Sequence, residues 1–371
     1  MKIKILLVMH QLEIGGAERV VTNLVNNFNH QKYEIHLCLF KKKGPLVDEI
    51  SPYVVIHDLN SKRVLFGVFS FVKLLTKLKP DICFSSISHV NLLISMLIKF
   101  FKLYLNTKFI AREVNNPSIR ATYLATSKKM DSIYKYLIKN FDGIIAQSKF
   151  MKNDLINCYI IKPSRVSVVS NPVDLVTIHE RMATYLPLEN KFSNGKFNLL
   201  AVGGLRYQKG FDLLLNTIYL LNDQYHLFIL GNGEQLNNLK SMIIKLKLQK
   251  KVTLLGETNN PYRLMKCADL VVSSSRYEGF PNVILEANAC GKYVIAFNCP
   301  GVDDEIIKNN LNGTLVENEN IKLFADAIRI FKGKKTKINQ EALIQKTTEK
   351  FMIKSITKEY DLIFDDLLRE A

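Results

Sequence analysis

Proline and glycine are scarce, 10 and 17 among 371 residues, so the chain has no room for long disordered tracts. The six cysteines, Cys38, Cys83, Cys158, Cys267, Cys290 and Cys299, are scattered, with no CxxC pair and no histidine at metal-ligand spacing. That pattern argues against a disulfide framework or a zinc site and reads as buried thiols in a reducing compartment. No apolar run is long enough to span a bilayer, because the most apolar window, NLLISMLIKFFKLYL from Asn91, is broken by Lys99 and Lys102. A strand-like run opens at residue 2, so no signal peptide is expected ahead of it. The sequence therefore predicts a cytoplasmic protein whose contact with a membrane is peripheral.

Acidic residues are the other scarcity, and an uneven one. The formal net charge is +17, and residues 1–171 hold 25 Lys and Arg against 11 Asp and Glu, which accounts for +14 of it. Between Asp58 and Glu113 the single acidic residue is Asp81, while Lys62, Arg63, Lys73, Lys77, Lys79, Lys99, Lys102, Lys108 and Arg112 are basic. They alternate with Leu65, Phe66, Phe69, Phe71, Leu74, Phe100 and Phe101, the composition of a basic amphipathic surface. Such a surface suits an anionic membrane or an anionic, lipid-linked substrate. A solvated lysine-rich face has the same composition. Nucleic acid is disfavoured, since the chain has no zinc-finger spacing, no RNP-like aromatic motif and no KH-type GxxG loop.

What is present is an alternation repeated twice. The chain is too long for one ordinary core and suits two domains of roughly 170–200 residues. IKILLVM (3–9), EIHLCLF (34–40), DICFSS (81–86), KFIARE (108–113), GIIAQS (143–148) and SVVS (167–170) are short, nearly all-apolar runs. They fit strands buried on both faces of a parallel sheet, with helix-like stretches between them. After Asn171-Pro172 the pattern restarts with FNLLAVGGL (197–205), HLFILGNG (226–233), VTLLG (252–256), DLVVSSS (269–275) and KYVIAF (292–297). The prediction is an α/β protein of two Rossmann-like, doubly wound domains, 1–172 and 173–354. A final amphipathic helix over about 355–371 is expected to pack back on the first. Two such domains would face each other across a cleft at the carboxyl ends of their strands, where ligands bind in this fold class.

The loops of the second half carry the chemistry. VGGLRYQKGFDLLL (202–215) is strand, glycine turn, basic loop and helix. Gly203 and Gly204 admit a close backbone approach, and a helix starting near Phe211 aims its amide end at Arg206 and Lys209. This is an anion site that matches neither a Walker loop nor a GxGxxG fingerprint, and a surface turn with two solvated cations has the same sequence. In RYEGFPNVILEANACG (276–291), Glu278 precedes a Gly279-Phe280-Pro281 turn, with Pro281 suited to the first turn of a helix that Gly291 ends. Glu286 lies more than one turn into that helix. Alone, each glutamate reads as a capping charge or an ordinary helix residue; together they also fit a glycosidase acid and nucleophile. Amides near Gly279 to Asn282 make the turn between them an anion site, so the carboxylates are best assigned to the hydroxyls of a sugar on either side of a phosphate.

Taken in order, these residues resemble the retaining glycosyltransferases of the GT4 (group 1) family, which have the GT-B fold. Glu278 and Glu286 stand at that family's spacing within EGFPNVILEA, and the likeness extends through GGAERV (15–20), IIAQS (144–148), VVSNPVD (168–174), LGNGE (230–234), ADLVVSSS (268–275) and PGVDDEI (300–306). The resemblance implies a nucleotide-sugar donor held by the second domain and an acceptor bound by the first. Glu286 would bond the ribose and Glu278 the donor sugar. Gly279, Phe280, Pro281 and Asn282, with Lys209, would hold the diphosphate, Gly256 would sit by the base, and Gly15 and Gly16 would close over the phosphates. Many relatives carry an arginine directly after the first glycine of the VG turn. This chain has Gly204 there and Arg206 two residues on. His89 loosely matches a sugar- or acceptor-contacting histidine, with a structural role equally open to it. Glu113, after another strand, is a weaker acceptor candidate, alongside Lys73, Lys77, Lys99 and Lys102. Catalysis is expected from Glu278, Lys209, Arg206 and His89 without a metal, Asp303-Asp304 reading as structural. The implied partners are a nucleoside diphosphate sugar, a lipid-linked or lipopolysaccharide acceptor and an anionic membrane surface.

Overall fold

Strands form where the apolar runs are buried on both sides. In the first half these are β1 (Ile3–Met9), β2 (Tyr33–Leu39), β3 (Val55–Asp58), β4 (Ile82–Ser86), β5 (Lys108–Arg112), β6 (Gly143–Ala146) and β7 (Val166–Val168). They pair in parallel in the order β3-β2-β1-β4-β5-β6-β7. The second half adds β8 (Phe197–Val202), β9 (Tyr225–Leu230), β10 (Val252–Gly256), β11 (Leu270–Ser273), β12 (Val294–Asn298) and β13 (Gly313–Glu317), in the order β10-β9-β8-β11-β12-β13. The computed structural model describes residues 2–101, 106–123, 128–192, 195–302, 306–308, 310–334 and 340–369.

The chain divides into two compact units, Met1–Pro172 with Ile353–Ala371, and Val173–Met352. The helix Ile353–Arg369 belongs to the first unit because its apolar stripe has a place there. Tyr360 packs edge-on against Phe28 and Phe84, and Phe364 against Tyr33 and Phe84. Lys32 pairs with Asp365 at 2.8 Å on the rim of this contact.

The order in which strands are added reverses at the first strand of each sheet, between β1 and β4 in one unit and between β8 and β11 in the other. Helices leave opposite faces of the sheet on the two sides of that point, so the loops part and leave a crevice beyond the strand ends. Two strands, β3 and β13, were not expected from the sequence. Both are edge strands with half-exposed residues, so neither has the continuous apolar run of a central strand. The thiols of Cys38, Cys83, Cys290 and Cys299 are pushed up by burial. Among the described residues no helix is long and apolar enough to cross a membrane.

One half-buried group is expected to make the second unit acid-sensitive. His226, on β9, bonds Thr253 at 2.8 Å, and burial, followed by the charge of Lys196, lowers its pKa to about 4. Neutral in the folded state, it takes up a proton on unfolding, so its contribution is complete above about pH 6.5 and is lost as pH falls toward 4. Over that window the second unit should lose about 2 kcal/mol. His226→Gln, which keeps a partner for Thr253, should flatten the fall in thermal midpoint between about pH 7 and about pH 4.5.

Candidate active site

At the switch point of the second unit, the loops after β8 and β11 are built into one another. The loop after β8 passes through a short 3-10 turn, Tyr207–Lys209, and enters the helix Phe211–Tyr219 through Gly210. Gly210 has φ +59°, and a Cβ there would lie 2.0 Å from the carbonyl oxygen of Ser274 in the other loop. Only glycine admits that approach. Ser274 Oγ donates to the Lys209 carbonyl at 2.9 Å, and the stem of Lys209 lies across Gly203. On the other side, Leu205 N–H donates to Asn232 O at 2.9 Å, so the Gly231-Asn232-Gly233 turn braces the same loop.

Glu278 is held where these loops meet. Its side chain is 7% exposed, and Lys209 Nζ lies 2.6 Å from Oε1. Ser275 Oγ donates to the same oxygen at 2.6 Å, and Gln208 Nε2 approaches Oε2 at 3.4 Å. The Glu278 backbone is positioned by a bond from its N–H to Pro300 O at 2.8 Å. Gly301, with φ +89°, lets the chain pass beneath, since a Cβ there would fall 1.8 Å from Glu278 O.

A second charged group joins the loops from behind. Arg276 is 4% exposed. Its guanidinium stacks 4.0 Å over the Tyr207 ring, donates to Tyr207 O at 2.8 Å, and forms two bonds to Asp212 at 2.9 and 2.6 Å. Burial opposes its charge, but the Asp212 hydrogen bond and charge raise its pKa above the ordinary guanidinium value. Arg276 N–H also donates to Gln208 O at 2.8 Å.

The helix after this loop runs Asn282–Ala289, with Pro281 just before it rather than in its first turn. Asn282 N–H is already bonded to Phe280 O at 3.0 Å, whereas the Gly279 and Phe280 amides have no acceptor among the described residues. The Phe280 side chain is buried and meets Phe351 edge-on, which pins the turn to the core. Glu286 is half-buried, and Tyr262 Oη lies 3.5 Å from its Oε1. Gly256 ends β10 in open space, its carbonyl accepting from Gly231 N–H at 2.7 Å. Arg206 is exposed, and its side chain has no partner among the described residues. Its Nε lies 3.6 Å from where a Cβ of Gly204 would stand, so the guanidine folds back over that glycine.

The first unit places its candidates separately. Gly15 and Gly16 open the helix Gly16–Asn27, with Glu18 curled over Gly15. His89 lies in the first turn of the helix Ser88–Phe101, after β4, edge-on to His10 with ring centroids 5.5 Å apart. Its outer edge meets solvent, yet desolvation of the packed face, followed by the charge of His10, lowers its pKa. Just ahead, Ile87 has φ +117°, a strained conformation for a β-branched residue. Glu113 departs from the expectation of a surface contact. It is 1% exposed, accepts from Tyr134 and from Asn91 at 2.9 Å, and burial raises its pKa. Lys73 and Lys77 are exposed on the helix Val68–Leu78, and exposed Lys99 sits 5.2 Å over the Tyr136 ring. Lys102 and Asp303-Asp304 lie outside the described residues.

Residues 14–177 match the family model Glycosyltransferase Family 4, and residues 187–350 match Glycosyl transferases group 1. The chain belongs to the group 1 glycosyltransferases. It is 28% identical over 350 residues to the N-acetylgalactosamine-N,N'-diacetylbacillosaminyl-diphospho-undecaprenol 4-alpha-N-acetylgalactosaminyltransferase of Campylobacter jejuni, covering 90% of each chain. It is 26% identical over 395 residues to the UDP-Gal:alpha-D-GlcNAc-diphosphoundecaprenol alpha-1,3-galactosyltransferase of Escherichia coli, covering 98% of this chain and 97% of that one. Among solved structures, Anabaena HepE in complex with UDP-glucose superposes with a TM-score of 0.83 at 18% identity, covering 98% of this chain and 99% of that one. That likeness establishes the GT-B fold.

The glycosyltransferase assembles its strand-end loops with residues that sequence reasoning passed over. Ser275, Gln208, Arg276 and Asp212 all touch the loops, and each looks ordinary in its local context. One signal was available: Arg276 follows a buried strand directly, and an interior arginine needs an acid and an aromatic face nearby. Arg276→Ala should lower the stability of this enzyme by about 1–3 kcal/mol. Arg276→Lys should recover little of it, because an ammonium cannot make the paired bonds and the stack together. Thermal midpoints of the two variants check both outcomes.

Proposed function

We propose that this glycosyltransferase moves a hexosyl or N-acetylhexosaminyl group, with retention, from UDP to a lipid-linked oligosaccharide, lipopolysaccharide or capsule precursor. The observation that carries the donor side is the meeting of Lys209, Glu278 and the open amides of Gly279 and Phe280 at one switch point. Lys209 has three N–H donors and uses one on Glu278, so the same ammonium has donors left for phosphate oxygens. Arg206 and the amino end of the helix Asn282–Ala289 add positive potential beside it. Glu278 keeps lone pairs for the hydroxyls of the transferred sugar, and Glu286, one turn into the helix, suits the ribose diol.

In the proposed reaction the acceptor hydroxyl oxygen attacks the anomeric carbon on the face from which the diphosphate leaves. The bond from that carbon to the phosphate oxygen breaks, and the acceptor's proton passes to the leaving oxygen. The work of the protein is then positional and electrostatic, with charge on the departing diphosphate met by fixed cations and amides and no metal required. The acceptor class is supported by the relatives from C. jejuni and E. coli, both named for diphospho-undecaprenol acceptors, and the UDP donor by the latter's name. The basic first half of the chain fits attachment at the inner face of the cytoplasmic membrane.

UDP at a hundred times its dissociation constant should add about 2.7 kcal/mol of stability. Glu286→Ala should weaken that binding roughly tenfold, as expected for one lost charge-assisted bond. Lys209→Ala should lower both affinity and stability, since it leaves the buried Glu278 carboxylate without its cation. Calorimetry showing unchanged affinity of Glu286→Ala for both UDP and GDP would rule out the assigned site.

A further inference from the structure

In the first unit a short 3-10 turn, Val64–Gly67, runs straight into the helix Val68–Leu78. The inner side of this stretch is secured: Gly67, Phe71 and Leu75 are buried, and Gly67 lies so close to the Phe40 ring that a Cβ would approach it to 2.5 Å. The outer side is apolar where it should be polar. Leu65 is 72% exposed, Phe66 74% and Phe69 84%, all within five residues. Isolated exposed apolar residues are common, but three large ones on one turn mark a contact surface.

Cations surround this tip. Lys62 and Arg63 precede it, and Lys73 and Lys77 follow Phe69 at successive intervals of four, on the same exposed side of the helix. The Arg63 guanidinium lies 5.9 Å from the Phe66 ring. No acidic residue occurs between Asp58 and Asp81. Aromatic rings at a tip with lysine and arginine set behind them match the layering of a bilayer, acyl chains beneath and anionic headgroups above. A second copy of the chain is a poorer fit, because two such faces would bring like charges together.

We propose that Leu65, Phe66 and Phe69 form a wedge that inserts into an anionic bilayer, with Lys62, Arg63 and Lys73 holding the headgroups. The inference deepens the reading of a lipid-linked acceptor and rests on it for its purpose. The wedge is tested without donor or acceptor, and UDP stabilisation measured on the same variants reports separately on the donor reading.

The chain contains no tryptophan, so Phe69→Trp supplies a single fluorescent reporter. Its emission should shift to the blue on adding phosphatidylglycerol-containing vesicles and be quenched by brominated acyl chains. In flotation, the full-length protein should bind those vesicles and keep part of that binding in high salt, where surface charge is screened. Phe66→Ser with Phe69→Ser should lower partitioning at high salt by roughly tenfold or more. Lys62→Gln with Arg63→Gln and Lys73→Gln should abolish the preference for anionic lipid at low salt. The proposal is overturned by an unshifted Phe69→Trp emission, or by flotation of the serine variant equal to wild type. It is equally overturned if sedimentation shows that the serine pair splits a dimer, which would make this face an interface between copies.

Discussion

A buried guanidinium determines how two loops meet at the β8/β11 switch point. Strand pairing sets where each loop begins, through Leu199 with Leu270 and Leu200 with Val271, but says nothing of how the loops lie beyond the sheet. Arg276 supplies that constraint. An interior charge is tolerated only with partners around it, and those partners, Tyr207 and Asp212, belong to the loop and helix after β8. Satisfying one arginine therefore brings the 206–209 segment against the loop that carries Glu278. Gly210 and Gly301 permit the close backbone approach that this joint requires.

The same joint shows how a carboxylate could sit beside the proposed anion site. An isolated carboxylate at Glu278 would repel a phosphate and be costly to bury. Paired with Lys209 and bonded by Ser275, it becomes part of a nearly neutral, hydrogen-bonded group. On the proposed reading, positive potential for a diphosphate then comes from Arg206, the unbonded Gly279 and Phe280 amides and the helix end, while Glu278 serves as an acceptor for hydroxyls. On the proposed reading, sugar and phosphate are recognised by adjacent atoms without either opposing the other.

Much of this was legible from periodicity. Burial on both faces favours predominantly apolar residues, and among the described residues all nine central strands, with the edge strands β7 and β10, coincide with such a run. The other two edge strands, VIHD (55–58) and GTLVE (313–317), are short and half-exposed, and no apolar run marked them in the sequence. In the site, the separation of Glu278 from Glu286 followed from helical spacing alone. The Ser275, Gln208 and Arg276 contacts depend on how two loops distant in sequence are brought together, and no local pattern records that. Glu113 was misplaced for a related reason. A carboxylate after a strand usually marks its exposed end, but here pairing continues one residue further, with Glu113 N–H donating to Ile145 O at 2.9 Å. The side chain is thereby carried inward to Tyr134 and Asn91.

The departure at Gly204 has a physical reading of its own. The family pattern implies an arginine there, rooted directly on the turn after β8. In this chain the space beside Gly204 is taken by the guanidine of Arg206, whose Nε stands 3.6 Å from the missing Cβ. A bond from Arg206 N–H to Gly204 O at 2.7 Å closes the intervening turn and fixes the root of the side chain. On the proposed reading the cation serves the diphosphate from two residues downstream, on a stem that folds back over Gly204. That stem is exposed and makes no bond among the described residues, so ordering it against an anion costs rotamer entropy, about 2 kcal/mol at most for an arginine. Lys209, already held by Glu278, carries no comparable cost. On the proposed reading the two cations therefore divide the work: Lys209 fixes where the diphosphate lies, and Arg206 closes on it once it is there.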